Sequence, residues 1–397
     1  MIKIIQILHC SPSWVSANLD ENIFDGWQTR TAKALQKLNV ANCQIECWVI
    51  EKKYHKPIML EKDGLVFRIF PSLPITYGRE ISWDMIKAIK TESCSPIILH
   101  IHGLFNWTTY LLAWLFPHLP IVVQHHGDCP PIYLLERRQR LFLMLPILLL
   151  EESVMRNLIK RIDYVFSLTR TTQRILELLG MKNRCRIQGM GVDFNFFSPD
   201  SKISARQKLH LPSHKKIMLY VGKAYTYKGC DQVILAYQKL KAKYDIELVL
   251  VGVSKSDELY QSAVDAGAKI FPRVEPNELI DFYRSADVYI LPGSKIFNRW
   301  GGIGVSTIES LACNVPVVSG TLQHYPDKID EVGFYAVDLE QTIKGIEYIF
   351  TNQQKFNKCR ERAQKYYDWN CIMQKTLNVY QYLLDKYYKI NFKFNVN

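Results

Sequence analysis

The chain has 397 residues, of which 48% are hydrophobic and 22% charged, and its formal net charge is +12. This hydrophobic content excludes a disordered chain, and the length is sufficient for two or three domains. The positive charge favours anionic partners such as nucleic acid, phosphorylated small molecules or an acidic lipid surface, without choosing among them.

Cysteine usage and the apolar runs indicate the compartment. Ten cysteines are scattered without a CxxC pair, which predicts free thiols rather than a zinc or disulfide framework. The N-terminal run "MIKIIQILHCSP" lacks the features of a signal peptide, and "LFLMLPILLL", Leu141 to Leu150, is too short to span a membrane. We therefore expect a cytoplasmic protein that is at most peripheral on the inner face of a membrane.

Strand patterns and helix patterns alternate along the chain. Amphipathic runs such as "TRTAKALQKL" and "DQVILAYQKLK" separate short apolar runs. This alternation predicts an α/β fold with parallel sheets that carry helices on both faces. The strand patterns, in chain order, are "IKIIQIL", "CQIECWVI", "IILHI", "IVVQ", "YVFSL", "KIMLYV", "IELVLV", "VYIL" and "VPVV".

A segment rich in Gly, Pro, Ser and Asp, from Gly189 to Lys216, interrupts the alternation. The pattern then restarts, which predicts two doubly wound domains of similar size, residues 1–195 and 196–369. Because ligands of open α/β sheets bind at the carboxyl ends of the strands, we expect a cleft between the domains. For the last stretch two interpretations stay open: a helix at 370–390 that packs back on the first domain, or a solvated helix with a frayed tail.

Two strand patterns of the first half end in histidines. "IILHIHG" and "IVVQHHGDCPP" place His100, His102, His125 and His126 near the carboxyl ends of buried strands, where we expect them to face the cleft. Contact with a sugar or acceptor, a structural role and a metal site all stay open. Zinc is disfavoured, because Asp128 is the only carboxylate nearby and no HExxH pattern occurs.

The second half opens with "LYVGKAYTYKGCDQVILAY", in which a strand pattern ends at Gly222 and a helix pattern begins after Gly229. Glycine at a strand end permits positive φ and close backbone approach. Lys223 and Lys228, beside the start of a helix, would bind a phosphate or diphosphate, with roughly 1.5–3 kcal/mol from each charge-assisted contact. The alternative is a pair of solvated lysines, and the pattern of a Walker loop is absent.

A second candidate phosphate site is "NRWGGIGVSTIESLACNVPVVSG", Asn298 to Gly320, which predicts a loop, a helix and a strand. Gly301, Gly302 and Gly304 would let consecutive backbone N–H groups point at an anion at the start of the helix. Glu309 follows in the second turn, where a carboxylate accepts the two hydroxyl groups of a ribose. The alternative is a glycine-rich turn before a core helix, with Glu309 exposed.

Together these segments resemble the retaining GT-B glycosyltransferases of family 4, the glycosyl transferases group 1. The resemblance covers nearly the whole chain and is strongest from about Gly189 to Gly320. "GMGVDFNFFSP" is similar to the interdomain signature, "VGKAYTYKG" to the phosphate segment, "VEPNELIDFYRSADVYILPG" to the segment leading into the donor site, and "GIGVSTIESLACNVPVV" to the helix with the ribose-binding glutamate. The resemblance implies a GT-B fold, with two Rossmann-like domains facing a central cleft.

The resemblance also implies roles for individual residues. Lysines and backbone amides would bind the diphosphate of a nucleotide sugar, Glu309 would hold the ribose, and His126 would be directed towards the transferred sugar. Gly26, in "FDGWQTR", would represent the N-terminal glycine loop, although the usual glycine pair is not there. The residues at the diphosphate would be Gly222, Lys223 (where arginine is usual), Lys228, Gly301, Gly302, Ile303 and Gly304.

The implied reaction moves a hexose from a UDP- or GDP-sugar to a glycan or lipid-linked acceptor, with retention and with neither a metal nor a cofactor. Negative charge develops on the leaving diphosphate, and fixed lysines and helix termini would stabilise it. In the retaining scheme the leaving phosphate takes the proton of the acceptor, which would explain why no carboxylate pair of the glycosidase kind stands out. Polysaccharide or cell-envelope biosynthesis is the expected context.

One departure from the family concerns the first of two glutamates that are usually separated by seven residues. Eight positions before Glu309 this chain has Gly301, whereas the family's glutamate commonly touches the transferred sugar. Either the protein is a pseudo-enzyme that binds the nucleotide sugar without transfer, or Asn298, Arg299 or Trp300 contacts an unusual donor. We favour the second, because the other site residues remain. Arg299 would suit a donor sugar with a carboxylate, or it is an exposed loop arginine.

The segment "LLERRQRLFLMLPILLLEESVMRNLIKR" combines an apolar run with basic residues. It would lie on an anionic bilayer as an amphipathic element, or form a long core helix kinked by Pro146 with its basic residues solvated. We expect no nucleic-acid partner, because no recognition signature for RNA or DNA occurs. The basic residues are Arg137, Arg138, Arg140, Arg156, Lys160 and Arg161.

Overall fold

The computed structural model describes residues 1–11, 23–38, 40, 42–76, 79–137 and 143–390. The chain divides into two compact units, Met1–Gln188 with Ile372–Asn397 and Gly189–Cys371. The division falls between Gln188 and Gly189, a few residues before the boundary near 195 that the sequence suggested. The last stretch forms a helix whose residues from Ile372 onwards belong to the first unit.

The first unit contains a mixed sheet whose strands run in the order β10-β9-β8-β7-β1-β2-β4-β3. Neighbouring strands are parallel except β3 and β4, which are antiparallel. A separate antiparallel pair is formed by β5 and β6. The strands are β1 (Ile2–Leu8), β2 (Cys43–Glu51), β3 (Ile58–Lys62), β4 (Leu65–Pro71), β5 (Leu73–Thr76), β6 (Arg79–Ile81), β7 (Ile97–His102), β8 (Ile121–Gln124), β9 (Tyr164–Ser167) and β10 (Cys185–Ile187).

Strands β1 and β7 are buried along almost their whole length, as expected for parallel strands covered on both faces. They pair in register, with Gln6 opposite His100, so two polar side chains meet inside an apolar sheet. The helices of this unit are α1 (Trp27–Lys37), α2 (Trp83–Glu92), α3 (Trp107–Leu115), α4 (Leu134–Arg137), α5 (Leu145–Leu158), α6 (Arg170–Leu178) and α15 (Trp369–Tyr388).

The second unit contains a parallel sheet in the order β13-β12-β11-β14-β15-β16. The strands are β11 (Lys216–Val221), β12 (Ile246–Val251), β13 (Lys269–Phe271), β14 (Val288–Leu291), β15 (Val317–Ser319) and β16 (Gly333–Phe334). The helices are α7 (Lys202–Lys208), α8 (Cys230–Leu240), α9 (Tyr260–Ala266), α10 (Pro276–Ser285), α11 (Lys295–Trp300), α12 (Val305–Ala312), α13 (Leu339–Thr351) and α14 (Cys359–Tyr367).

This strand order is that of a doubly wound dinucleotide-binding sheet, and it reverses between β11 and β14. The first three strands of the unit extend to one side of this point and the last three to the other. Loops that leave the carboxyl ends of β11 and β14 therefore diverge, which opens a crevice at that edge of the sheet. The lysine segment follows β11, and the glycine segment follows β14.

A buried ion pair joins α7 to the strands of the second unit. Arg206, which is 5% exposed, donates from Nη2 to Oδ2 of Asp287 at 2.6 Å, and the amide of Ile217 donates to the same oxygen at 2.6 Å. Lys202 donates to the other oxygen at 2.7 Å. The Asp287 carboxylate therefore holds the beginning of β11 and helix α7 together.

No helix of the residues that the structure describes is both long and apolar enough to cross a bilayer.

We predict that Asp287→Ala lowers the free energy of unfolding by about 3–5 kcal/mol, because Arg206 is left buried without its counter-ion. Urea unfolding of the purified protein measures the change. The matched control is Asp330→Ala, which removes a carboxylate that is 67% exposed and lies 3.2 Å from Lys355. Its loss should be much smaller, and equal losses in the two variants would contradict the assignment.

Candidate functional site

The lysine segment forms a tight loop at the carboxyl end of β11. Gly222 has φ +142° and Gly229 has φ +78°, conformations that favour glycine. Gly229 directly precedes helix α8, so Lys228 lies at the helix N-terminus. A Cβ atom added at Gly222 would lie 3.4 Å from the Lys228 ammonium nitrogen, which shows that the lysine side chain folds back over the end of the strand.

Two hydrogen-bonded side chains fix this loop in place. Tyr220 donates its hydroxyl to the carbonyl of Lys223 at 2.8 Å. The buried carboxylate of Asp257 accepts from the amide of Ala224 at 3.0 Å and from the amide of Ser254 at 3.2 Å. The loop that carries the first lysine is thus tied both to its own strand and to the loop after β12.

The two lysines place positive charge at this edge of the sheet. Lys223 is exposed and Lys228 is partly exposed, and neither forms a salt bridge with any residue that the structure describes. Burial, followed by the nearby charge of Lys223, lowers the pKa of Lys228, while Asp257 acts in the opposite direction. An anion bound beside both ammonium groups would relieve their mutual repulsion.

The lysine loop lies directly against the segment that follows β14. A Cβ atom at Gly229 would come within 2.6 Å of the backbone nitrogen of Gly293. The amide of Ser294 donates to the carbonyl of Tyr227 at 3.1 Å, and the ring of Tyr227 contacts Phe297 edge-on. The lysine loop therefore contacts the beginning of the segment that carries the glycines, within the second unit.

The glycine segment presents backbone amides that are not used within the fold. Gly302 has φ +62°, and Gly304 is the N-cap of α12, followed by the helix at Val305. Among the described residues, no hydrogen bond is donated by the backbone N–H groups from Gly302 to Ser306. Consecutive free amides at a helix N-terminus are the backbone arrangement that binds phosphate groups.

Glu309 is only 8% exposed, so the alternative of an exposed carboxylate on the surface of α12 is wrong. Its Oε2 accepts the hydroxyl of Tyr283, in α10, at 2.7 Å. Burial, followed by the charge of Glu309, raises the pKa of Tyr283, so the tyrosine stays a hydroxyl donor. Tyr283 thus sets the orientation of the carboxylate.

The residues before the glycines are not a loop, because Asn298, Arg299 and Trp300 form the end of α11. Asn298 is buried, and its amide donates to the carbonyl of Pro292 at 2.8 Å. Trp300 is fully buried. Of the three residues suggested as replacements for the missing glutamate, only Arg299 is partly exposed.

Gly301 closes α11 in an ordinary helical conformation, with φ −76°. A Cβ atom there would lie 2.8 Å from the carbonyl oxygen of Phe297. A side chain at position 301 would therefore require the end of the helix to shift. The local backbone at position 301 therefore suits glycine better than the glutamate that is usual in the family.

The first unit carries a separate candidate site around His126, which follows β8. The imidazole is partly exposed and stacks on the indole of Trp27, with 4.3 Å between ring centroids and 5° between planes. Trp27 is the first residue of α1, and Gly26 is its N-cap with extended backbone. The structure therefore brings Gly26 and His126 into one neighbourhood.

The other histidines are internal, and the expectation that all four face a cleft is wrong for three of them. His100, His102 and His125 are each at most 1% exposed. His125 bonds the carbonyl of Asp128 through Nε2 at 2.7 Å. His100 and His102 lie within β7, which is buried along its whole length, so their side chains face the core or a packed helix.

Burial also keeps His100, His102 and His126 neutral. It lowers the pKa of His100 to about 3. It lowers the pKa of His102 and His126 well below the ordinary value as well. At neutral pH, His126 therefore accepts or donates hydrogen bonds as an uncharged ring.

Sequence patterns alone did not single out the residues that support these sites. Trp27 lies in "FDGWQTR" and Tyr283 in "VEPNELIDFYRSADVYILPG". However, the contacts of Trp27 with His126, of Tyr283 with Glu309 and of Asp257 with Ala224 join residues distant in sequence, so no local motif predicts them. Gln6 did carry a signal, since a glutamine inside the run "IKIIQIL" requires a buried hydrogen-bond partner. No group of three or more His, Cys, Asp or Glu residues suited to a metal ion occurs in the described part of the chain.

In the described part of the basic apolar segment, residues 143–161, helix α5 is not kinked at Pro146. Pro146 is the second residue of α5, where proline is compatible with a helix. Arg138 and Arg140 lie outside the described residues. Four apolar side chains are exposed just before α5 and in its first half: Leu143 (92%), Ile147 (50%), Leu149 (52%) and Leu150 (66%). Three basic residues near the end of α5 and directly after it are also exposed: Arg156, Lys160 and Arg161.

Two family models match consecutive parts of the chain. The model "Glycosyltransferase Family 4" matches residues 32–196, and "Glycosyl transferases group 1" matches residues 201–366. An uncharacterised glycosyltransferase of Methanocaldococcus jannaschii is 22% identical over 85% of this chain and 90% of its own. The chain belongs to the GT4-type glycosyltransferases of the GT-B fold class.

Solved structures share the fold at low identity. Sucrose-phosphate synthase from Thermosynechococcus elongatus superposes with a TM-score of 0.72 at 18% identity, over 97% of this chain and 99% of that one. Anabaena HepE in complex with UDP gives a TM-score of 0.67 at 15% identity, over 96% and 99% of the two chains. Both likenesses concern the α/β architecture with two Rossmann-like units.

We predict that the buried histidines make the protein sensitive to acid. Below pH 6.5 the unfolded chain binds a proton at His100, whereas the folded chain does not until about pH 3. Stability therefore falls as the pH falls, by about 2 kcal/mol from this residue between pH 7 and pH 5.

Urea unfolding at the two pH values, for wild type and His100→Gln, measures this contribution. The variant should lose less stability than wild type over this interval. Identical pH dependence in the two proteins would show that His100 takes up its proton in the folded state.

Proposed function

We propose that the protein transfers a hexose from a nucleotide-diphosphate sugar to a glycan or lipid-linked acceptor, with retention of anomeric configuration. The observation that carries this proposal is the set of unpaired backbone amides from Gly302 to Ser306. They lie in the segment after β14, whose beginning contacts the loop of the two lysines. These groups suit a diphosphate, because they combine fixed N–H donors with two positive charges.

The parts of the donor are distributed as follows. Lys223, Lys228 and the amides of Gly302, Ile303 and Gly304 bind the diphosphate. Glu309, oriented by Tyr283, accepts the hydroxyl groups of the ribose. UDP and GDP are the candidate nucleotides; the bound UDP of the Anabaena structure belongs to that protein and supports the choice by likeness of fold alone.

Bond breaking transfers the glycosyl–oxygen electron pair to the diphosphate. The lysines and the N-terminus of α12 stabilise the new negative charge without reorganising, so the proposal requires neither a metal nor a cofactor. The leaving phosphate accepts the proton of the acceptor hydroxyl, and the acceptor oxygen attacks the same face of the sugar. His126, a neutral ring beside Trp27, binds a hydroxyl group of the sugar.

A second candidate function follows from Gly301, which leaves the site without the family's first glutamate. A non-catalytic subunit would bind the nucleotide sugar and neither transfer nor hydrolyse it. We favour the transferase, because the lysines, the free amides and the ordered Glu309 are all retained. Arg299, partly exposed at the end of α11, is the candidate contact for the donor sugar.

We predict that one nucleoside diphosphate, and sugars linked to it, raise the melting temperature without added metal, and that the monophosphate has a smaller effect. A ligand at about 100 times its dissociation constant stabilises the fold by about 2.7 kcal/mol. A thermal-shift panel of UDP, GDP, ADP and their glucose or mannose conjugates measures this.

Glu309→Gln is the informative variant, because its amide oxygen still accepts from Tyr283 while the carboxylate charge is lost. The matched control is Glu340→Gln, an exposed residue in the first turn of α13. The shift should shrink in the first variant only. If no ligand of the panel raises the melting temperature, the proposal is contradicted. Binding of a nucleotide sugar without release of the nucleotide would favour the non-catalytic subunit.

We also propose an anionic membrane surface on the cytoplasmic side as a partner, in keeping with a lipid-linked acceptor and with synthesis of a cell-envelope polysaccharide. The exposed leucines at the start of α5 would enter the interface, and Arg156, Lys160 and Arg161 would face anionic headgroups. Each basic residue near such a surface contributes about 1 kcal/mol. The net charge of +12 acts in the same direction.

We predict that the protein floats with phosphatidylglycerol vesicles at low salt and is released at high salt, because headgroup attraction is screened. The double variant Leu149→Ser/Leu150→Ser should bind at least about tenfold more weakly, since two apolar side chains no longer enter the interface. Leu178→Ser is the control, since Leu178 is an 88% exposed leucine elsewhere in the same unit. No flotation of wild type at low salt would reject the membrane partner.

A further inference from the structure

A continuous row of hydrogen-bonded side chains connects His126 to the C-terminal helix within the first unit. Nε2 of His126 lies 2.8 Å from Nδ1 of His102, and Nε2 of His102 lies 2.8 Å from Oε1 of Gln6. The amide nitrogen of Gln6 lies 3.2 Å from the hydroxyl of Tyr380, in α15. That hydroxyl lies 2.5 Å from Nδ1 of His100.

The direction of each bond follows from the chemistry of the groups. The carbonyl oxygen of Gln6 only accepts, so Nε2 of His102 carries a proton. Because burial keeps His102 neutral, its Nδ1 then carries a lone pair and accepts from Nε2–H of His126. His126 is neutral too, which leaves its Nδ1 as a hydrogen-bond acceptor.

At the other end of the row, the glutamine lies with its amide nitrogen towards the Tyr380 hydroxyl. The amide group of Gln6 donates to the Tyr380 hydroxyl, which uses its single proton to donate to His100. With the Gln6 amide turned around, its NH₂ group would face His102, and every donor and acceptor as far as His126 would exchange. The tautomer of His126 is therefore coupled to a hydroxyl on α15.

Burial makes this coupling effective. Gln6, His102 and Tyr380 are each 0% exposed, and His100 is 1% exposed. Water cannot replace a lost partner in such surroundings, so the groups of the row depend on one another for hydrogen bonds. Nε2 of His100 has no partner among the described residues. The row contains no charged side chain, and it crosses from β7 to β1 at the register pair of Gln6 and His100.

We propose that Tyr380 is a positioning residue, which acts through Gln6 and His102 to hold His126 as the Nε2–H tautomer with Nδ1 available to accept a sugar hydroxyl. This inference rests on the proposed role of His126 in sugar transfer. It assigns the C-terminal helix a part in the chemistry as well as in packing. Without the tyrosine hydroxyl, the Gln6 amide loses its hydrogen-bond partner at that end of the row and is no longer held in one orientation.

The test is Tyr380→Phe, which removes one hydroxyl and keeps the ring. Nitrogen NMR of the full chain labelled with ¹⁵N-histidine reports which ring nitrogen of His126 carries the proton, and His126→Gln assigns the signal. Wild type should show the Nε2–H form alone. Tyr380→Phe should show both tautomers.

Tyr388→Phe is the matched control, because Tyr388 lies on the same helix and bonds the backbone of Ile97, at the beginning of β7, outside the row. It should leave the His126 signal unchanged. An unchanged His126 tautomer in Tyr380→Phe, or an Nδ1–H form in wild type, would overturn the proposal. If Tyr380→Phe does not fold, Gln6→Met takes its place, because it removes the central link of the row. This variant should show both tautomers of His126, and an unchanged tautomer would overturn the proposal.

A kinetic comparison separates positioning from loss of fold. With a donor sugar that is turned over, Tyr380→Phe should lower kcat by roughly three- to tenfold, the effect of one lost hydrogen bond, while the donor KM stays within about twofold. A rise in KM with unchanged kcat would contradict the proposal. If the tautomers of wild type and Tyr380→Phe are as expected but wild type neither binds nor turns over nucleotide sugars, the positioning role of Tyr380 stands. The proposed function is then rejected.

Discussion

Burial of parallel strands on both faces is the constraint on which both units depend. Strands such as β7, β12 and β14 are covered along their whole length, so their backbone groups are used in the sheet and their side chains in the core. Polar chemistry is then left to the loops at the carboxyl edge. The reversal of strand order between β11 and β14 decides which of those loops become neighbours.

At that edge, the anion site that we propose for the second unit consists largely of backbone. The free amides of the glycine segment cost no desolvation of a charged group, and the helix terminus adds a fixed positive potential. Lys223 and Lys228 add positive charge on flexible side chains. Asp257 and Tyr220 hold the loop that carries Lys223 through hydrogen bonds to its backbone. Fixed dipoles of this kind stabilise charge that develops during a reaction without having to reorganise.

The first unit differs in that it places polar side chains inside the sheet. Gln6 and His100 would each weaken an apolar core if they were unpaired, since a buried polar group without a partner costs about 1–3 kcal/mol. Tyr380 from α15 forms a hydrogen bond with each of them. The part of α15 that carries Tyr380 belongs to the first unit, although it follows the second unit along the chain.

The sequence by itself determined the α/β class, the restart of the pattern in the middle of the chain and the two candidate phosphate segments, because strand periodicity, glycines and lysines are local signals. It did not determine the burial of Glu309, the end of α11 at Trp300 or the internal position of three histidines. Those depend on which elements pack together. Tertiary structure also decided the stacking of Trp27 on His126 and the row of bonds to Tyr380, since each joins residues far apart along the chain.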